Sequence, residues 1–389
     1  MSNSSGNVFD TNPKVAGSSV DHRENANNGI MNRRNNNSIT PFDNNNTTSS
    51  GEADLDLHGT HSGPLYHRGE LIHGGPATGL EYPGDEEEKD EPACLNAWSR
   101  FRYKYREYFA EFFGTMIMVM FGDGVVAQST LSDKEYSTYT NISLGWGGAV
   151  MLGYMTCGGI SGGHLNPAVT FASAVYRDFK WSKTLGYMGS QMLGGYIGGL
   201  LVYATYKTSF DHYEGGADIR TVTGDHPTAG IFCTFAQDYL PTRSQITSEL
   251  VSSTLLQFLI FALTDPYNLP SESSLFPFSL FMLIFCIGAC YGYQTGYAIN
   301  PARDLAPRVA AASIHLYGSE LWTYGHNYAI VPSLIPFIGT TLGGFLYDTF
   351  IYRGLETPCN QADYGYAKFF GKLTNKKIKT DLEKEVDST

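Results

Sequence analysis

Two identical triplets carry the strongest chemical signal in this chain. Asn166, Pro167 and Ala168 lie within GGHLNPAVT, and Asn300, Pro301 and Ala302 lie within GYAINPARD. An asparagine amide both accepts and donates hydrogen bonds, so it can cap a helix or donate to a passing hydroxyl oxygen. Asparagine is a favoured N-cap, and proline is tolerated at the first helical position because its missing N–H would have been unpaired there. Each triplet therefore reads as a helix start. Arg303 follows Asn300 by three residues and brings a permanent cation with five donors in a planar fork. Taken singly, each asparagine is only a cap and the arginine is a surface or snorkelling side chain. Two copies in opposed contexts favour a shared site instead.

The elements that position these residues follow from the apolar runs. Six stretches, 108–128, 142–157, 184–206, 246–264, 276–293 and 328–351, read as apolar or small residues. Each is near the roughly 20 residues that a helix needs to cross about 30 Å of hydrocarbon. The second and fifth are glycine-rich and short, which fits helices packed closely inside a bundle. Two shorter pieces, 166–176 and 300–313, begin at the triplets and cannot cross. They read as half-helices entering from opposite faces, because three spans separate them. Irregular backbone at such depth requires burial in protein or a wet cavity. Glu111 and Glu249 stand at similar distances before the two triplets, each inside the first span of its half. An inverted repeat whose helix ends meet at midplane is a transport architecture.

Outside these runs the composition changes. The 389 residues carry a net charge of −12 and a mean hydropathy of −0.19, values that suit an ordinary soluble protein. That average conceals a division, because residues 1–98 hold 6 Lys/Arg against 15 Asp/Glu, and residues 1–50 include 13 asparagines. Such a segment buries too little apolar surface to offset chain entropy. Three regions are expected: a disordered acidic tail over 1–98, a membrane domain over 99–353 and a polar tail over 354–389. No secretory signal pattern opens the sequence. Cys94, Cys157, Cys233, Cys286, Cys290 and Cys359 lack paired spacing, so free thiols are expected and no metal site. Arg100, Arg102, Lys104 and Arg106 precede the first span, Arg177, Lys180 and Lys183 follow the second, and a lysine-rich run from Arg353 to Lys379 follows the sixth. Positive charge marks cytoplasmic segments, so both termini are expected inside. The connection 207–245 then lies outside, where it can fold over an entrance, and Asn141 begins a sequon near the outer face. The run DEEEKDE at 85–91 precedes RFRYKYR at 100–106. This reads as a solvated tail beside a basic membrane flank, or as a gate that deletion of residues 1–95 would test.

With these residues in view, the sequence resembles the major intrinsic protein (aquaporin) family, and within it the aquaglyceroporins, over roughly residues 105–353. The long polar tails are similar to those of fungal members. The resemblance implies an all-α membrane fold of six tilted spans and two re-entrant half-helices around one pore per subunit, assembled as a homotetramer. It implies a narrow filter at Trp146, Gly288, Tyr297 and Arg303, where two aromatic rings face the C–H edge of a polyol and the arginine donates to its hydroxyls. The family's usual phenylalanine is Tyr297 here, so the added hydroxyl narrows or wets that wall. Tyr206, Asp304, Arg308 and Pro332 match the glycerol branch, with Asp304 and Arg308 spaced for an i,i+4 pair, whereas Ser333 departs from it. Carbonyls of Gly162, Gly163, His164, Leu165, Tyr297, Ala298 and Ile299 resemble the family's ladder of acceptors. His164 otherwise reads as a packing residue. Glu111 and Glu249, costly in lipid, are assigned to holding the re-entrant loops through backbone N–H groups, with a proton relay as the alternative. Asp123 in FGDGVV either faces water or lines the outer mouth.

The expected function is passive conduction of glycerol, similar small polyols and water, with ions and protons excluded. No cofactor and no nucleic-acid partner is expected, and the plasma membrane is the expected location. The rivals are a mainly water-selective channel, a non-conducting scaffold of the same fold and a coupled transporter. Nothing in the chain pairs a nucleophile with a base or forms a phosphate loop, which speaks against an enzyme.

Overall fold

The computed structural model describes residues 96–268, 275–314, 317–354, 357–361 and 364, and among them there is no strand. The helices run in chain order as α1 (Ala97–Lys104), α2 (Arg106–Leu131), α3 (Tyr139–Ser161), α4 (Pro167–Tyr176), α5 (Trp181–Tyr213), α6 (Thr242–Thr264), α7 (Phe276–Thr295), α8 (Pro301–Ser313), α9 (Glu320–Asn327) and α10 (Ile330–Phe350). The acidic run 85–91, Cys94 and most of both polar tails lie outside the described residues. The other five cysteines are free thiols.

Each expected span falls on one long helix, namely α2, α3, α5, α6, α7 and α10. Four of these, α2, α6, α7 and α10, are long and apolar enough to cross a membrane by length and composition. Helices α3 and α5, at 23 and 33 residues, have the length, but glycine dilutes their hydropathy. The two triplets start α4 and α8 as their prolines require, and these helices span 10 and 13 residues.

Packing follows the inverted repeat. Helix α2 packs on α3 and α5, and α6 packs on α7 and α10, while α3 meets α7 across the pseudo-twofold axis. The half-helices are exchanged between halves, α4 lying on α10 and α8 on α5. Glycine permits the exchange: a Cβ on Gly195 would stand 2.4 Å from the Ala302 carbonyl oxygen of α8. At the α10–α6 contact the same role falls to Gly343, whose Cβ would stand 2.3 Å from the Thr254 oxygen. With no hydrophobic force to join helices in lipid, such close backbone approach is what associates them.

Three boundaries differ from expectation. Helix α5 continues past Tyr206 to Tyr213, because its last turns are held by packing and charge rather than by lipid. Phe210 is fully buried and stacks on Phe232 at 5.6 Å, and Lys207 pairs with Asp211 at 2.7 Å. The connection to α6 is therefore 214–241, and it is packed into the molecule, with Ala229, Ile231 and Cys233 fully buried. Within it Arg220 bonds Asp211 at 2.5 Å and holds that carboxyl below its usual range. The basic flank is itself helical, as α1, capped by Asn96, whose Oδ1 accepts the Ser99 N–H at 2.8 Å. Helix α9 had no apolar signature and is broken by left-handed Gly325 and His326.

Candidate functional site

The N-termini of α4 and α8 meet inside the bundle, and their two asparagines clasp each other's loops. Asn166 Oδ1 accepts the Ala168 N–H at 2.9 Å, and its Nδ2 donates to the Ile299 carbonyl at 3.0 Å. Asn300 Oδ1 accepts the N–H groups of Ala302 at 2.9 Å and Arg303 at 3.3 Å, and its Nδ2 donates to the Leu165 carbonyl at 2.9 Å. Capping and cross-repeat locking thus use one acceptor and one donor of each amide. An amide nitrogen carries two hydrogens, so one N–H per asparagine remains. Both side chains, together with both helix N-termini and their positive dipole ends, border the same cavity.

The segments leading into the half-helices repeat one backbone signature. Counting back from each asparagine, the residues four, three and one before it have positive φ: Gly162 at 85°, Gly163 at 63° and Leu165 at 53°, then Gly296 at 74°, Tyr297 at 41° and Ile299 at 46°. Three of the six are not glycine, and left-handed backbone costs such residues of order 1–3 kcal/mol each. Buried carboxylates hold the conformation. Glu111 accepts the N–H groups of His164 and Leu165, each at 2.9 Å, with Ser161 Oγ at 2.6 Å and Gln191 Nε2 at 2.8 Å completing its shell. Glu249 accepts those of Ala298 at 3.0 Å and Ile299 at 2.9 Å. With its amides turned to the glutamates, the unwound backbone has its carbonyls available to the other side. Gly162, Gly163, His164, Leu165, Tyr297, Ala298 and Ile299 all border the cavity. His164 Nδ1 lies 3.1 Å from Thr170 Oγ1, a packed and bonded position, and no group of metal-ligating side chains occurs among the described residues.

Trp146, Tyr297 and Arg303 line this cavity, together with Leu256, Thr264, Phe276 and Ile284. The Arg303 guanidinium carbon lies 4.0 Å from the Trp146 ring centre. Gly288 is not on the wall itself. It stands behind Tyr297: a Cβ there would lie 2.8 Å from the Tyr297 Cζ, 2.9 Å from its hydroxyl and 3.2 Å from Ser143 Oγ. The phenol end thus occupies the space that glycine leaves, and its hydroxyl oxygen is buried rather than turned into the cavity.

The remaining sequence-expected residues sit around the site. Asp304 and Arg308 form the i,i+4 pair at 3.0 Å, fully buried, and Asp304 also accepts the Thr234 N–H at 2.6 Å, which ties connection 214–241 to α8. Tyr206 packs in the cluster around Phe210 and Phe232, and Pro332 is buried in α10; neither borders the cavity. Ser333 Oγ donates to the Ala329 carbonyl at 2.7 Å. Asp123 neither faces water nor lines the cavity: it is fully buried in α2, with Oδ1 3.9 Å from Arg303 Nη1. Sequence spacing held no signal for that meeting, because α2 and α8 belong to different halves.

Residues 98–347 match the family model described as major intrinsic protein. Aquaglyceroporin-9 of Botryotinia fuckeliana is 45% identical over 331 residues, covering 85% of this chain and 72% of the relative. "Probable aquaglyceroporin-2" of Gibberella zeae is 46% identical over 288 residues, covering 74% and 84%. Among solved structures, the aquaglyceroporin from Plasmodium falciparum superposes with a TM-score of 0.57 at 27% identity, covering 63% of this chain and 96% of that one.

Proposed function

This chain belongs to the major intrinsic protein family, and we propose that it is a passive, bidirectional membrane channel for glycerol, similar small uncharged polyols and water. One observation carries the reading: two half-helices present an unspent asparagine N–H each to a cavity that Trp146, Tyr297 and Arg303 also line. A polyol has one apolar edge of C–H groups and one edge of hydroxyls. The aromatic faces take the first, and the Arg303 fork and the bordering carbonyls take the second, as donors and acceptors respectively. At the clasp, a hydroxyl or water oxygen accepts from Asn166 and then Asn300. Its own hydrogens are thereby directed away from the asparagines, which interrupts a relay of protons along the file. The positive ends of α4 and α8 oppose cations at the same point.

The family and the relatives named above are channels, which supports reading the chain as a conduit and not a catalyst. Glu111 and Glu249 are engaged by backbone N–H groups, which favours the loop-holding role over a proton relay. We further infer cytoplasmic termini from the positive residues Arg100, Arg102, Lys104, Arg177, Lys180 and Lys183, a homotetramer from family membership, and the plasma membrane as location. Stopped-flow light scattering of reconstituted liposomes tests the reading. Under an inward glycerol gradient the vesicles reswell far faster than protein-free ones, and under a sucrose gradient they shrink fast but do not reswell. Rapid water flow with no accelerated glycerol entry would make it a water channel, and neither would leave a scaffold.

A further inference from the structure

Four charged side chains are buried beside the filter, and they divide into two pairs. Asp304 is committed: its Oδ1 receives Arg308 Nε at 3.2 Å and Nη2 at 3.0 Å, and its Oδ2 receives Thr234 N at 2.6 Å and Oγ1 at 2.7 Å. That leaves Arg303 and Asp123. The Arg303 guanidinium forms no side-chain hydrogen bond among the described residues, and both Asp123 oxygens are buried without one. At 3.9 Å the two are too far apart for a hydrogen bond but well within strong Coulomb attraction in a buried setting. An isolated carboxylate buried this way is prohibitive, and a nearby cation is what makes it tolerable.

We propose that Asp123 is a positioning residue for the filter, the counter-charge that holds Arg303 beside Trp146 and leaves the constriction electrically neutral. The long separation is functional. Asp123 balances the charge of the guanidinium from the side of the buried Nη1 without a hydrogen bond to it, so Arg303 keeps its Nε–H and Nη2 groups for solute hydroxyls and does not hold anions at the constriction. Without the carboxylate, Arg303 is an uncompensated cation and an anion site.

The proposal rests on the glycerol reading for its permeant, and the test separates the two. D123N, D123E, R303V and D123N/R303V are reconstituted, and glycerol flux is read with and without external nitrate, alongside thermal melting in detergent. Wild-type and D123E flux is expected to be blocked by nitrate only at concentrations about tenfold or more above those that block D123N, the scale of one unpaired charge at a mouth. In melting, D123N destabilises the parent and has little effect on R303V, the non-additivity expected of a coupled pair. D123N flux blocked at the same nitrate concentration as wild-type flux would overturn the proposal. So would an equal loss of melting temperature, or equal failure to fold, in both backgrounds. Wild-type protein without glycerol flux would refute the functional reading alone, and the melting cycle, which needs no permeant, would then decide the pairing.

Discussion

The filter wall makes a quantitative prediction at Gly288. A single methyl there would stand 2.8 Å from Tyr297 Cζ and 2.9 Å from the hydroxyl, against the roughly 3.5–4.0 Å at which such atoms rest. The ring must retreat by most of an ångström, and its escape routes are few. Gly292 abuts its other edge, where a Cβ would lie 2.7 Å from Tyr297 Cδ1, and the backbone after it is pinned by Glu249 through Ala298 and Ile299. The direction left is toward the cavity. G288A therefore narrows the passage, and the ring cannot yield when a polyol passes. Overpacking of this kind costs about 1–3 kcal/mol, which as a barrier is a fall of roughly 5- to 150-fold in glycerol permeability. Water, being smaller, falls less. The assay is stopped-flow scattering of liposomes loaded with equal amounts of wild type and variant, under glycerol and then sucrose gradients. Adding Y297F relieves the contact with the hydroxyl but not that with Cζ, so G288A/Y297F recovers glycerol flux in part. If G288A alone keeps the wild-type ratio of glycerol to water, Tyr297 is not a wall held by the space at Gly288.

Two further outcomes follow from the supports of the site. E249Q keeps one acceptor but turns an NH2 group toward a backbone N–H, leaving one buried donor unpaired at about 1–3 kcal/mol. Melting temperature should fall by several degrees and glycerol flux with it, whereas unchanged melting would show that the carboxylate does not hold Ala298 and Ile299. D348N removes the counter-charge of Arg177, which is 1% exposed, bonded to Asp348 at 2.7 and 2.6 Å and stacked 3.7 Å from the Phe261 ring. Breaking such a buried pair costs about 3–5 kcal/mol, so melting should drop sharply while the permeability of each folded channel stays the same; a drop no larger than that of a surface variant would contradict this.

Much of this was legible because the membrane restricts the alternatives. Apolar runs long enough to cross marked six helices, and an asparagine before a proline at depth marked the two half-helices to their first residue. The two glutamates were legible for the same reason, since an acid at that depth needs protein donors. What the sequence concealed lies where other forces act. The end of α5 is set by Phe210 packing and the Lys207–Asp211 pair, not by the hydrocarbon edge at Tyr206. The repeated positive φ values could be read at Gly162, Gly163 and Gly296 but not at Leu165, Tyr297 and Ile299, where glutamate-held amides impose the conformation on residues that disfavour it. From sequence the Tyr297 hydroxyl narrows or wets the wall, whereas in the fold it is buried against Gly288, because the two are brought together only by the fold. Asp123 and Arg303 are likewise joined across the two halves, and no spacing rule connects them.

Asn166 and Asn300 each spend one amide hydrogen on the opposite loop and offer the other to solute. The decisive measurement is a high-resolution structure of the protein in a glycerol-containing lipid environment. Solute oxygen is expected within about 3 Å of both Nδ2 atoms, with the contacts to Ile299 and Leu165 intact. Amides turned from a continuous opening, or glycerol bound only outside it, would show that the two asparagines do not handle solute.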